Sequence, residues 1–281
     1  MTLTLLSAWK SARDRLAAAG VDSPALDARM LIEAATGVTR LEIVTDPYRA
    51  LDDDAQARAE ALIARREARE PVSQIVGYRD FRVHRFAVTK DVLTPRPETE
   101  LLVEVALERV ALEIPQRLVD FGIGSGAILL SILSQRPLAE GVGADISREA
   151  LAVAKQNAAA LEIERVTFVH SDWDAEIDGF FDLVVSNPPY IRTGALSLLD
   201  PEVGRYEPHL ALDGGSDGLD GYRAVLAAAR RLLKPGGSFA VELGQGQAEA
   251  VWALADEIRL MPEDVRDDLA GIARVLVGRA L

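Results

Sequence analysis

Asn187, Pro188, Pro189 and Tyr190 are the residues whose types and spacing point most directly to chemistry, and they follow an apolar run at residues 181–186. An asparagine side-chain oxygen and a proline backbone carbonyl both accept hydrogen bonds, and proline adds no competing N–H donor. Two such acceptors that converge on one NH₂ group hold both of its hydrogens and direct the nitrogen lone pair outward. The tyrosine ring can pack on the flat face of an amide or a base. This corner is suited to activating a planar amino group, and its plainer alternative is a turn that ends a strand.

A glycine-rich loop lies upstream, where Gly122, Gly124 and Gly126 follow an apolar run at residues 117–121. Glycines permit a tight turn and let a ligand approach bare backbone. Asp145 ends the next apolar run, 19 residues after Gly126. A carboxylate there can accept both hydrogen bonds from a ribose diol. The spacing therefore indicates an adenosine-bearing cofactor, and glycines that serve only helix–strand packing are the alternative.

The loop alone leaves two cofactors open. Gly122, Gly124 and Ala127 satisfy the dinucleotide pattern of NAD-binding proteins. A Gly-x-Gly-x-Gly loop after an acid, here Asp120, is the commoner form in enzymes that use S-adenosylmethionine (AdoMet). AdoMet has no phosphate and carries a sulfonium cation, so the carboxylates of Asp120 and Asp145 suit it better than a pyrophosphate.

The corner at Asn187 answers a difficulty of methyl transfer to nitrogen. The lone pair of an amide or arylamine is delocalised, so the nitrogen is a poor nucleophile. Hydrogen bonds that hold its protons favour the pyramidal geometry of the transition state, which is differential binding. Placement in line with the methyl group at about 3–3.5 Å supplies the rest. No strong general base is required, because the methylated nitrogen is acidic and loses its proton.

The stretch Ser-Asp-Trp at residues 171–173 follows a third apolar run. An acid there can accept from the adenine amino group while Trp173 covers the ring, although a tryptophan of the core is the alternative. The histidines at positions 84, 170 and 209 are scattered, and the chain has no cysteine. We therefore predict no metal site.

The elements that must position these residues alternate strand and helix from about residue 117. This alternation predicts an α/β fold with a mostly parallel, Rossmann-like sheet, in which ligands bind beyond the carboxyl ends of the strands. The earlier part of the chain has helical spacing, and the β-rich stretch at residues 75–88 predicts a hairpin. We expect a helical domain at residues 1–72, a β-hairpin linker at 73–96 and the catalytic domain at 97–281.

Charge helps to choose between substrates, because the corner fits the adenine amino group of DNA or RNA equally well. The 281 residues carry a net charge of −13, with +1 over residues 71–100 and −8 over residues 101–200. An enzyme that acts on nucleic acid needs a basic groove, and none is encoded here. We expect no direct nucleic acid binding. A non-catalytic nucleotide-binding or adaptor domain is a further alternative, which the intact corner beside the loop disfavours.

The same composition bears on location. No apolar run approaches the 18–20 residues or so of a membrane span, and the N-terminus lacks the form of a signal peptide. The absence of cysteine excludes a disulfide framework. We expect a cytoplasmic protein without membrane association.

The whole pattern resembles the bacterial release factor glutamine methyltransferases, also called peptide chain release factor N(5)-glutamine methyltransferases, over nearly its full length. The segments Thr-Pro-Arg-Pro-Glu-Thr-Glu at 94–100 and Tyr-Glu-Pro at 206–208 are more specific than the Asn-Pro-Pro-Tyr corner, which many amino-group methyltransferases share. The other matching segments lie at residues 71–77, 120–127, 171–173, 186–191, 212–218 and 234–237.

The resemblance implies a helical N-terminal domain for substrate recognition, joined by the hairpin to a class I AdoMet-dependent methyltransferase domain. It implies an enzyme of translation termination that methylates the side-chain amide of the glutamine in the Gly-Gly-Gln motif of class I release factors. We expect it to be a monomer.

Site residues follow from the resemblance by position. Asn187, Pro188 and Tyr190 would be catalytic, and together with Pro189 they would hold the substrate glutamine. Asp120 would face the methionine end of the cofactor, while Arg96 and Glu98 would shape the site from the linker. Phe121 and Ile123 depart from the leucine and the small residue expected there. The implied cofactor-binding residues are Gly122, Ile123, Gly124, Ser125, Gly126, Asp145, Trp173 and Asn187.

Overall fold

The computed structural model describes residues 3–281, so the first two residues of the expected helical domain lie outside the described residues. The chain divides into two compact units. The N-terminal unit extends to Tyr78 and also includes Asp200–Tyr206, whereas the C-terminal unit comprises Arg79–Leu199 and Glu207–Leu281.

Helices make up the N-terminal unit, and local signals explain where they begin and end. Thr4 and Ser7 form a capping box at the first helix. Pro24 begins the second helix and Gly37, with φ +73°, ends it. Leucine, isoleucine and alanine side chains pack in the centre of the unit. The helices are α1 (Leu5–Ala18), α2 (Pro24–Thr36), α3 (Arg40–Thr45), α4 (Asp53–Glu67), α5 (Val72–Val76) and, from the later segment, α9 (Pro201–Tyr206).

The predicted hairpin is present as β1 (Tyr78–Phe81) and β2 (His84–Ala87), joined through Arg82 at φ +52°. The prediction that β structure begins at residue 75 is wrong by three residues. Residues 75 and 76 complete helix α5, because Gly77 adopts φ +85° and ends that helix with a left-handed turn.

Among residues 3–281, seven strands form one sheet in the order β5-β4-β3-β6-β7-β9-β8. The first five pair in parallel and β9 pairs antiparallel with its neighbours, so the prediction of a mostly parallel sheet is confirmed. The strand order reverses between β3 and β6, which is where such sheets bind ligands. The strands are β3 (Arg117–Phe121), β4 (Glu140–Asp145), β5 (Val166–His170), β6 (Phe181–Ser186), β7 (Leu233–Glu242), β8 (Leu260–Asp267) and β9 (Ala273–Ala280).

Helices cover both faces of this sheet. Alternate residues of a strand point to opposite faces, so Leu118 packs in one core and Val119 in the other. The first core includes α6 (Thr99–Arg109), α7 (Ala127–Gln135) and α8 (Arg148–Ala160). The second core includes α10 (Asp220–Leu232) and α11 (Ala248–Glu257).

Candidate active site

A cavity of about 500 Å³ lies at the carboxyl ends of β3, β4 and β6, within the C-terminal unit. Its size is typical of sites that hold a small molecule or cofactor. It brings together residues that are far apart in the sequence, as expected for the switch point of a parallel sheet. The sequence-predicted residues that line it are Gly122, Ile123, Gly124, Ser125, Asp145, Trp173, Asn187 and Pro189.

The glycine loop turns sharply between β3 and α7. Gly122 and Gly124 have φ values of +69° and +54°, which side-chain-bearing residues rarely adopt. The backbone N–H of Gly124 donates to Asp145 Oδ2 at 3.0 Å, and that of Ser147 donates to Asp145 Oδ1 at 2.9 Å. Each carboxylate oxygen keeps a further lone pair. Asp145 therefore fixes the loop and still has acceptor capacity toward the cavity.

Burial raises the pKa of Asp145, and the N–H groups of Ser147 and Gly124 partly offset this effect. The carboxyl is thus held at the cavity wall under partial desolvation, where a hydrogen bond to a ligand is stronger than in water.

Asp120 does not take the expected place beside a ligand. Its side chain is fully buried within β3, and it is not among the described residues that line the cavity. Burial raises its pKa well above the ordinary value, and the Leu129 N–H offsets this only in part. The structure therefore does not bring the Asp120 carboxyl to the cavity wall, where it was expected to face the methionine end of the cofactor.

Trp173 lines the cavity in an unusual backbone conformation. Its φ of +49° lies in the left-handed region, which is strained for a bulky residue. The ring also packs against the core beneath β4 and β6. Asp172 lines the cavity next to it and is exposed. The surrounding packing therefore holds an aromatic face and a carboxylate together at one end of the cavity.

Three predicted site residues, Gly126, Pro188 and Tyr190, do not line the cavity within residues 3–281. Gly126 caps α7 with φ +84°, and a Cβ there would come within 2.8 Å of Leu130. It is a packing glycine. Pro188 is buried, and Gly221 packs closely against it.

Tyr190 lies behind the cavity and supports its wall. Its backbone carbonyl accepts a hydrogen bond from Gln247 Nε2 at 3.1 Å. The Oε1 of Gln247 in turn accepts from the hydroxyl of Tyr222 at 3.1 Å. Burial, with a smaller contribution from Glu242, raises the pKa of Tyr190 to about 12. Its phenol therefore stays protonated at neutral pH and is not a base.

Sequence reasoning missed two polar residues beside Asn187. Asn187 Nδ2 donates to Thr99 Oγ1 at 3.4 Å, and Thr99 begins α6. Glu242, at the end of β7, is 2% exposed. Burial raises its pKa to about 7, and hydrogen bonds from the Thr99 and Asn187 side chains oppose that rise. An acid at the end of an apolar strand on this edge was the signal available in the sequence.

The linker contributes a second buried acid. Arg96 lines the cavity, and its guanidinium contacts Glu207 Oε2 at 2.5 Å. Glu207 is buried and also accepts from the backbone N–H of Thr94. Burial raises its pKa and Arg96 lowers it. The two segments that carry the most specific sequence resemblance are therefore joined at the cavity by one ion pair, whereas Glu98 is not among the described lining residues.

Residues 3–281 offer neither a metal site nor a membrane-spanning helix. No group of three or more histidine, aspartate or glutamate side chains lies close enough together to hold a metal ion. No helix there is long and apolar enough to cross a membrane.

Comparison with known proteins adds independent information. The PrmC N-terminal domain family matches residues 7–77, and the methyltransferase small domain family matches residues 97–199. The release factor glutamine methyltransferase of Caulobacter vibrioides is 49% identical over 285 residues, which cover 99% of this chain and 97% of that protein. That of Rhodospirillum rubrum is 46% identical over 266 residues, covering 94% and 82%.

Solved structures are similar in fold at low identity. A methyltransferase from Pyrococcus furiosus superposes with a TM-score of 0.52 at 15% identity, covering 70% of this chain and 89% of that one. A ribosomal protein L11 methylase from Lactobacillus delbrueckii gives a TM-score of 0.50 at 18% identity, covering 72% and 91%. At these identities the similarities support the fold alone.

Proposed function

The chain belongs to the family of release factor glutamine methyltransferases, and from this membership and the geometry of its cavity we propose how it performs that reaction. It is an AdoMet-dependent protein-glutamine N-methyltransferase, which acts on the side-chain amide nitrogen of a release factor glutamine. We assign that glutamine to the Gly-Gly-Gln motif of class I peptide chain release factors.

The cavity residues fit S-adenosylmethionine. Asp145 has free acceptor capacity for a ribose diol, and the glycine loop admits a ligand to bare backbone. Asp172 and Trp173 present a carboxylate and a ring that suit the adenine amino group and the adenine face. When bound, S-adenosylmethionine supplies an electrophilic methyl group on a positively charged sulfur.

Asn187 carries the proposal, because it follows the end of β6 and lines the same cavity as Asp145 and Trp173. We assign its Oδ1 and the Pro188 carbonyl as acceptors for the two hydrogens of the substrate amide. Pro189 lines the substrate side, and Tyr190 supports this corner from behind through its bond from Gln247.

The proton balance needs no base from the protein. As the nitrogen forms its bond to the methyl carbon, the carbon–sulfur bond breaks and the nitrogen becomes positively charged. Its acidic proton then leaves to solvent. Tyr190, whose pKa is about 12, stays protonated throughout.

The alternative, methylation of the adenine amino group in DNA or RNA, is not favoured. The relatives are named release factor glutamine methyltransferases. The net charge of −8 over residues 101–200 would also repel the phosphates of a nucleic acid. We propose that the enzyme acts on protein and does not bind nucleic acid. We also propose that it is a monomer and works in the cytoplasm, where translation factors are available to it.

The test is a methylation assay with labelled AdoMet and a purified release factor. We expect one methyl group per release factor, on the Gly-Gly-Gln glutamine. A release factor with that glutamine changed to alanine is the matched control and should take up no label. Label in duplex DNA, or in the alanine control, would contradict the proposal.

A further inference from the structure

Glu242 lies beside Asn187 although 55 residues separate them in the chain. Strands β6 and β7 pair in parallel with Ser186 opposite Val241. Asn187, the residue after β6, and Glu242, the last residue of β7, are therefore at the same edge of the sheet. Glu242 is 2% exposed and is not among the described cavity-lining residues, so it cannot contact a substrate directly.

The contacts of this pair place the amide nitrogen of Asn187 on the inner side. Asn187 Nδ2 points toward Thr99 Oγ1, at a distance of 3.4 Å that is long for a hydrogen bond. The side chains of Thr99 and Asn187 also lie close enough to Glu242 to lower the pKa of its carboxyl, so they favour its ionised form. Within the described chain, Glu242 Oε2 has no hydrogen-bond partner. A buried acceptor with spare capacity thus lies behind the amide.

The two ends of an asparagine carboxamide are almost equal in shape but opposite in function. If the NH₂ end faced the cavity, it would oppose the NH₂ group of a substrate amide. An ionised carboxylate only accepts hydrogen bonds, so it selects the NH₂ end of Asn187 as its neighbour. The carbonyl oxygen, Oδ1, is then left facing the cavity.

We propose that Glu242 is a positioning residue, whose buried carboxylate holds the NH₂ end of Asn187 so that Oδ1 faces the amide to be methylated. This inference rests on the proposed function, since it assumes that Oδ1 accepts from the substrate. Glu242 acts only through Asn187 and contributes no contact of its own to substrate or cofactor.

The groups around Glu242 make its ionisation a usable signal. Glu98, before α6, raises its pKa and Arg274, on β9, lowers it, while protonated Tyr190 faces it from the corner. The net result is a pKa of about 7. The carboxylate holds Asn187 above this pH, and the neutral acid, which can also donate, loses that selectivity below it. We expect kcat to rise with pH through about 7.

The decisive experiment is a double-mutant cycle with Glu242→Gln and Asn187→Ala. Asn187→Ala should lower kcat about 100-fold or more. Glu242→Gln, whose amide can face either way, should lower kcat at least 10-fold and leave the AdoMet Kd and release factor KM within threefold. The double variant should be no slower than Asn187→Ala alone, because both changes remove one function. Glu249→Gln, on the exposed first turn of α11, is the matched control and should behave as wild type.

Two outcomes would overturn the inference: multiplicative losses in the double variant, or full kcat in Glu242→Gln. A readout independent of methylation is the side-chain amide signal of Asn187 in the NMR spectrum, identified by its loss in Asn187→Ala. It should titrate near pH 7 in the wild type, and an Asn187 signal that is flat between pH 5 and 9 also contradicts the inference. If the wild type methylates no release factor, the proposed function fails while this titration still tests Glu242.

Discussion

The N-terminal unit and the cavity of the C-terminal unit bury charge in opposite ways. In the N-terminal unit, Arg66 and Asp27 pair at 2.7 Å with side chains only 7% and 8% exposed, and Arg66 also contacts Glu202. Burial raises the pKa of Glu202, but its hydrogen bonds with Arg69 and Arg66 outweigh this and lower it. Around the cavity, burial raises the pKa of Glu242 to about 7.

The difference shows what each charge does. A buried ion pair satisfies its own members, and its removal matters because one partner is left behind. A buried acid with spare acceptor capacity lowers the stability of the fold. Such acids cluster at functional sites, so those around the cavity indicate chemistry and those of the helical unit indicate structure. Three experiments test this contrast.

Arg66→Ala should have the largest effect, because it leaves Asp27 buried without its guanidinium partner. We expect a loss of about 3–5 kcal/mol in the free energy of unfolding. Arg65→Ala, at the preceding residue of α4, removes an exposed partner of Glu70 and should cost at most about 1 kcal/mol. Urea denaturation of both variants measures the difference, and equal losses would remove the distinction between buried and surface pairs.

Asp145→Asn should follow in size, because it replaces one of two carboxylate acceptors by a donor that opposes the N–H of Gly124 or of Ser147. We expect the AdoMet Kd to rise about 10- to 100-fold, as for a lost hydrogen bond to a charged group. At saturating AdoMet, kcat should change by only a few-fold. Isothermal titration calorimetry with the exposed variant Asp178→Asn as control checks this; unchanged affinity would show that Asp145 only fixes the loop.

Glu242→Gln should have the smallest effect on stability and the opposite sign. The folded pKa of about 7 exceeds the ordinary 4.5, so the folded state binds the extra proton between these values. The wild type is therefore most favoured at low pH and loses that contribution as pH rises through 7. We expect the variant to be about 1–3 kcal/mol more stable than wild type at pH 8.5 and nearly equal at pH 5. The same difference at both pH values would show that ionisation is not involved.

Strand ends explain why much of the site could be predicted. Asn187, Asp145 and Trp173 each follow an apolar run, and the carboxyl ends of parallel strands meet at one edge. The expectation that Asp120 faces the cofactor failed because strand β3 is buried on both faces. A polar residue one position before the end of such a strand points into a core instead of the cavity.

Other features depend on information that local patterns do not hold. The contact of Glu242 with Asn187 follows from the register of β6 and β7, and the ion pair of Arg96 with Glu207 from packing over 111 residues. Neither has a periodicity or a motif. The hairpin was predicted to begin at residue 75, which is too early, and the cause is simpler. Gly77 ends a short helix whose residues are typical of β structure.

The assignment of Asp200–Tyr206 to the N-terminal unit has a consequence for how the protein is made. Glu202 contacts Arg66 across 136 residues of chain. The ribosome must therefore synthesise most of the C-terminal unit before the last ion pairs of the N-terminal unit can form. A fragment that ends at residue 78 would contain Arg66 and Arg69 but would lack the Glu202 carboxylate that both guanidiniums contact. The N-terminal unit therefore cannot complete its folding before most of the C-terminal unit has been synthesised. Closure of this long loop couples the folding of the N-terminal unit to that of the C-terminal unit.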